Sequence, residues 1–371
     1  MLVHNESDVF VIGGGPAGLA AAIAAARKGL SVTVADGAAP PIDKACGEGM
    51  MPETQAALNC LGVDLPDAAG WTFRGIRFAH DEGEIAADFV RGQGIGIRRP
   101  VLHQVLIETA QNCGVRLLWK APVASIESTG VRLVRGFNAA RWIIGADGSA
   151  SRVRRWAALE DTTRRTLRVA VRRHYRVRPW SDYLEVYWGS RAQAYVTPIA
   201  HDEVCIVMMG DTADDVRFDR MLRELPSLQR RLVGSELASR ERGAVTVMQR
   251  LRHVARGNVA LIGDASGGVD AITGDGLRLS FRQAAALANA IEAGDLRVYA
   301  RAHRDLQRRP SRMGRLLVEL GRRNGIRARV MRAMGRQPGL FEKLLAIHTG
   351  RTSSLQVLAA SAQLGWQFIA A

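Results

Sequence analysis

The first ordered pattern in the chain is an apolar run, Val9-Phe-Val-Ile12, that stops at glycines and is followed from Pro16 to about Gly29 by an alanine-rich stretch. A short apolar run bounded by glycine reads as a buried strand, and the stretch behind it as a helix packed on that strand. A second apolar run, Leu30 to Ala35, predicts the next strand, so the chain opens as a parallel α/β unit. Further on the pattern changes character. Leu167 to Val177, Tyr183 to Gly189, Ala192 to Ile199 and Glu203 to Gly210 read as strands, most of them alternating polar with apolar residues. Phe73 to Phe89, turning at Asp81-Glu82-Gly83, predicts a hairpin. Antiparallel strands inserted into a parallel-sheet protein imply a second layer laid over the first. After it, Gly339 to Ala371 carries helical apolar spacing, from Leu340, Phe341, Leu344, Leu345 and Ile347 to Leu364, Trp366, Phe368 and Ile369. That spacing suits packing on the protein's own core, a cap over a pocket, or a helix lying on a membrane surface.

The glycines between the first strand and helix add chemistry to this pattern. Gly13 suits a tight turn, Gly15 lets the backbone approach a pyrophosphate, and Gly18 lets the helix pack closely on the strand. Pro16 and Ala17 open a helix whose free N–H groups and positive dipole end face the phosphates. Asp36 ends the second strand at the spacing where a carboxylate accepts from a ribose 2′-hydroxyl and repels a 2′-phosphate. Together these features predict a dinucleotide site.

Two later segments indicate which dinucleotide. Trp142-Ile-Ile-Gly-Ala-Asp-Gly-Ser149, followed by Arg152 and Arg154, resembles the Ala-Asp-Gly segment of flavoprotein hydroxylases. Val259-Ala-Leu-Ile-Gly-Asp-Ala265, then Gly274-Asp-Gly-Leu277, resembles the Gly-Asp motif of the same superfamily. In this order, from about Val9 to about Ala288, the motifs resemble the FAD-dependent superfamily of para-hydroxybenzoate hydroxylase-like monooxygenases and geranylgeranyl reductases. The resemblance implies FAD as cofactor, with Gly263 and Asp264 at the ribityl chain and Gly274, Gly276 and Leu277 near the flavin ring. By the same resemblance Arg99, in Arg99-Pro-Val-Leu-His-Gln-Val-Leu106, would reach the pyrophosphate, with Arg98 as competitor, and Val123 would offer backbone to adenine. Asp147 stands between a cofactor contact and an ordinary turn residue.

A local motif divides the superfamily further. Lys44-Ala-Cys-Gly-Glu-Gly-Met-Met-Pro52 resembles the Lys-x-Cys-Gly-x-Gly loop of the geranylgeranyl reductase branch, which lies beside the flavin. Cys46 is the candidate catalytic residue, because a thiol there would contact ring or substrate, and Lys44 would supply an electropositive setting. Glu48 stands where the reductases often carry a small residue, which weighs against an isoprenoid substrate. Gly47 to Pro52 is also similar to the Gly-Glu-Ser loop of flavin halogenases, but their Trp-x-Trp-x-Ile-Pro signature is missing.

The resemblance implies an α/β fold with a Rossmann-like FAD-binding domain, an interleaved antiparallel β-sheet substrate domain and a helical C-terminus. The expected division is 1–70, 98–160 and 250–295 for FAD, 71–97 and 161–249 for substrate, and 296–371 as an arginine-rich helical region. The aromatics Tyr183, Tyr187, Trp188 and Tyr195 would line an apolar pocket against the flavin, for a lipophilic or aromatic substrate. A single dinucleotide fingerprint means that NAD(P)H, as electron donor, would bind transiently. The favoured reaction is monooxygenation of an aromatic or polyketide-like substrate using NAD(P)H and oxygen. Hydride transfer from reduced FAD to a carbon–carbon double bond of an isoprenoid or unsaturated lipid is the alternative.

Composition narrows the remaining classes. Four scattered cysteines, Cys46, Cys60, Cys113 and Cys205, form neither a disulfide framework nor a zinc motif, and the eight histidines show no metal spacing. No metal is expected, and a reducing cytoplasm is the expected setting, with attachment to a membrane periphery open. The formal net charge is +15, and Arg297 to Arg336 is dense in arginine, which points to an acidic carrier protein or an anionic membrane surface. Nucleic acid ranks last, since no aromatics interleave for base stacking.

Overall fold

Parallel pairing dominates the first sheet of the computed structural model, which describes residues 5–80, 83–160 and 166–348. Val259–Leu261, Phe137–Gly145, Asn5–Ile12, Val32–Ala35 and Arg116–Leu118 lie side by side in that order, every neighbouring pair parallel. Val9, Phe10 and Val11 are wholly buried, with side chains covered on both faces of this sheet, so the run shows no alternation. The helix Pro16–Ala26 packs through its alanines against Gly276–Glu292, and the helix ends at Ala26, where the chain turns through Gly29 at φ 78°. The strand ends Ile12, Ala35, Gly145 and Leu261 all point the same way, toward one rim where open α/β sheets bind their ligands.

The second sheet follows the predicted strands closely: Thr166–Arg176, Tyr183–Trp188, Ala192–Ala200 and Glu203–Gly210 are all present. Most neighbours run antiparallel, but Tyr183–Trp188 pairs in parallel with Gly75–His80. The latter is one arm of the expected hairpin, with Gly83–Asp88 as the other. Residues 81 and 82 of its expected turn lie outside the described residues, and Phe73 belongs elsewhere. It sits in a small third sheet, Gly49–Met50, Gly94–Gly96 and Trp71–Phe73, which has no counterpart in the sequence reading. Glu203–Gly210 is buried on both faces: Val204, Ile206 and Met208 pack under the helices Phe218–Arg223 and Pro226–Arg231, while Cys205, Val207 and Met209 face the other way. That explains its unbroken apolar sequence.

Three helices close the described chain, Leu296–Arg322, Asn324–Arg336 and Pro338–His348. Val318 of the first packs on the face of the second sheet that carries Val207 and Met209. Met331, Met334, Leu340, Phe341 and Leu345 pack on Ile76, Phe78 and Ile85 of the hairpin. The apolar positions expected at Leu340 to Leu345 therefore meet the protein's own core; those from residue 349 onward lie outside the described residues.

Candidate active site

One cavity of about 770 Å³ runs from the rim of the parallel sheet to the face of the second sheet. Gly13, Gly15, Pro16, Ala17, Asp36, Lys44, Cys46, Arg99, Val123, Asp147, Asp264, Gly274, Gly276 and Leu277 all border it. Gly18 and Gly263 do not. A Cβ at Gly18 would overlap the carbonyl oxygen of Gly13, and one at Gly263 would crowd the Ala17 methyl, so these two glycines act by allowing close packing behind the rim.

The rim is tied into one piece by backbone. Asp36 accepts from the Gly14 N–H at 2.7 Å and from the Ala38 N–H at 2.8 Å, so its carboxylate already holds the glycine turn in shape. Sequence reasoning missed a second holder, His103. Its Nδ1 accepts from the Ile42 N–H at 3.1 Å, which leaves Nε2 to donate to the Gly14 carbonyl at 2.7 Å. Burial lowers the His103 pKa and keeps the ring neutral, the form that can both accept and donate. A lone histidine inside the helix Arg99–Asn112 carries no sequence mark of that role.

Asp147 turns out to be a helix cap as well as a cavity residue. It accepts from Ser151 Oγ at 2.5 Å and from the N–H groups of Arg152 and Val153, at the start of Arg152–Trp156. Lys44 Nζ reaches Asp264 Oδ2 at 3.1 Å across the cavity wall. Arg98, the competing arginine, is paired with Glu203, whereas the buried Nε of Arg99 has no partner. Of the four aromatics, Trp188 and Tyr195 line the cavity. Tyr183 instead bonds Arg74 and Asp88, and Tyr187 bonds Glu185 on the far face of the sheet.

The loop after Lys44 hides an ionic cluster that no local pattern in the chain announces. Glu48 holds φ 58°, a left-handed conformation costly for a side chain with a Cβ. Its Oε1 lies 3.0 Å from Arg172 Nη1 and accepts from the Arg99 N–H at 2.9 Å; its Oε2 meets His174 Nε2 at 2.7 Å. Arg172 forks onto Asp43 through two bonds of 2.9 Å, and Arg242 approaches the same carboxylate. Burial opposes ionisation of Asp43, but these two arginines outweigh it and hold its pKa below the ordinary value. Burial raises the neighbouring Cys205 thiol well above its ordinary pKa, so it stays protonated. Glu48, His174 and Cys205 bring three potential metal donors together. The Arg172 guanidinium already engages Glu48 there, and a buried positive charge disfavours a cation beside it.

The cavity suits the cofactor expected from the motifs. A Cβ built on Gly15, Gly47, Gly148 or Gly276 meets nothing within 4 Å, so bare backbone faces open space along the groove. The helix Gly276–Glu292 starts there with its N–H groups free, and Arg99 Nε awaits an acceptor. A family model described as FAD binding domain matches residues 6–294. The chain belongs to this FAD-binding family of oxidoreductases. Menaquinone reductase of Mycobacterium tuberculosis is 30% identical, over 80% of this chain and 79% of that protein. Digeranylgeranylglycerophospholipid reductase of Methanothrix thermoacetophila is 26% identical, over 78% of this chain and 79% of its own length. A solved flavoprotein/dehydrogenase from Cytophaga hutchinsonii superposes with a TM-score of 0.81, covering 98% of this chain and 100% of that one at 17% identity, a likeness of fold. This FAD-dependent oxidoreductase therefore has the mixed α/β flavoprotein fold expected from its motifs.

Proposed function

We propose that this flavoprotein reduces carbon–carbon double bonds of an isoprenoid lipid. The observation that carries the reading is the character of the cavity beyond the FAD groove. Ile76, Phe78, Leu184, Val186, Val207, Met209, Leu317, Phe341 and Leu345 form its walls, continuous with the groove. Such a chamber rewards burial of a long hydrocarbon by about 25 cal/mol per Å². It also excludes water from the reacting carbons. The curated relatives named as reductases support the same direction. The sequence objection, Glu48, loses its force because both carboxylate oxygens are bound to protein groups.

FAD, when bound and reduced, supplies the hydride for one alkene carbon. The other carbon needs a proton, and Cys46, at the cavity wall, offers a thiol for it. Gly13, Gly15 and Arg99 would hold the pyrophosphate, Asp36 the ribose, and Lys44 and Asp264 the hydroxyl-bearing chain. NAD(P)H, bound transiently, provides the electrons.

The test is anaerobic mixing of the reduced protein with geranylgeraniol, menaquinone and lipophilic phenols. Flavin reoxidation without oxygen, with two hydrogens added across a prenyl double bond and not merely at the quinone ring, supports the reductase. A product that forms only with oxygen and gains one oxygen atom establishes instead the monooxygenase, for which the same dry chamber would serve.

A further inference from the structure

The cavity reaches the protein surface among arginines. Leu316 borders it and is 60% exposed, whereas Met313, Leu317 and Leu320 on the same helix are partly covered. Thirteen arginines stand between positions 297 and 336 against two acids, Asp305 and Glu319, and Glu319 is taken by Arg323. Arg308, Arg309, Arg312 and Arg315 precede Leu316 within the helix Leu296–Arg322 and are all exposed. None has a carboxylate partner among the described residues; Arg315 Nε donates only to the Ser311 carbonyl of its own helix. Arg309 and Arg312 lie seven and four residues before Leu316, hence on its stripe of the helix.

An exposed apolar side chain ringed by unpaired guanidinium groups matches the layers of an anionic bilayer. Arginine forks onto phosphate oxygens while an apolar tip enters the acyl boundary. An acidic protein would answer the charge but not the apolar tip or the opening beside it. Among the described residues no helix is long and apolar enough to cross a membrane. We propose that the face carrying Arg308, Arg309 and Arg312 docks on anionic phospholipid and that the opening at Leu316 draws its lipid from there. The lipid part of this inference rests on the reductase reading; the docking part does not.

Flotation of the full-length FAD-loaded protein with phosphatidylcholine vesicles, with and without phosphatidylglycerol, tests it. Binding is expected only with phosphatidylglycerol and is expected to fall steeply as salt rises. The joint change Arg308→Glu, Arg309→Glu and Arg312→Glu should weaken it about a hundredfold or more, since each basic residue contributes roughly fivefold. Joint Lys replacements at the same positions should keep most of the binding, and Leu316→Ser should weaken it. Reversal of three other exposed arginines, Arg91, Arg116 and Arg135, should cost only several-fold. FAD content and thermal melting check that each variant folds. Equal binding to neutral vesicles, equal loss in the two reversed sets, or binding of an acidic protein or RNA in place of vesicles overturns the proposal. Flotation needs no turnover, so intact docking without double-bond reduction would sink the reaction and leave this surface standing.

Discussion

His174 Nε2 stands 2.7 Å from Glu48 Oε2, with both side chains wholly buried beneath the loop that borders the cavity. A carboxylate there is bound on one oxygen by the ring and on the other by Arg172 and the Arg99 N–H. Removing it leaves a buried guanidinium with Asp43 as its one remaining carboxylate partner among the described residues. Glu48→Ala should therefore destabilise the protein by about 3–5 kcal/mol, read by denaturant unfolding. Glu48→Gln, which keeps acceptor and shape, should lose clearly less. Equal stability of the two variants would show that the cluster holds nothing.

Acid should weaken the fold already between pH 6.5 and 4. Burial pushes His303 down to about 4, against roughly 6.5 in the unfolded chain. Below 6.5 the unfolded chain takes up a proton that the native ring refuses until about 4. Stability from this group is thus complete above pH 6.5, declines between 6.5 and 4, and is flat below, a loss of about 3 kcal/mol. Unfolding curves across that range should show the slope, and His303→Asn should reduce it. His103, also lowered by burial, should leave a residual slope in that variant.

Two glycines three residues apart should fail in different ways. Gly15→Ala places its methyl in open cavity, so the apoprotein should melt as before while FAD affinity falls at least tenfold, read by fluorescence titration. Gly18→Ala drives its methyl into the Gly13 carbonyl and should destabilise the apoprotein itself. Loss of FAD affinity in Gly15→Ala without loss of stability would locate the pyrophosphate.

Chain length should separate the chamber from the groove. Leu317 lines the apolar end, and Leu317→Trp would occupy space there without touching the glycine turn. FAD content should stay unchanged, while kcat/KM for a long isoprenoid falls more than tenfold relative to a short one. An equal loss for both lengths would place the substrate elsewhere.

The sheet strands and the glycine turn were legible because apolar runs and glycine spacing are local signals. Gly13 and Asp36 could be placed by their spacing, and Arg99 and Asp264 by the resemblance to the FAD-dependent superfamily; all four border one cavity. The ionic cluster was not legible, because Arg172 and His174 lie on a strand whose polar positions read as solvent-facing, while Glu48 is more than a hundred residues away. His103 escaped for the same reason: its partners Gly14 and Ile42 are brought to it by the fold. Tyr183 and Tyr187 were assigned to the pocket because alternation gives two faces but not which one the cavity adjoins.

The apolar chamber takes its outer wall from Leu317, Met334, Phe341 and Leu345, near the end of the described chain. During synthesis the opposite wall, Phe78, Val186, Val207 and Met209, leaves the ribosome long before these residues exist to cover it. A nascent chain therefore carries a bare greasy sheet face from the time Met209 is made until Leu317 to Leu345 follow, at an elongation of roughly 5–20 residues per second. That interval is when chaperones have reason to hold this protein, and truncated products lacking the last helices would be the ones to aggregate.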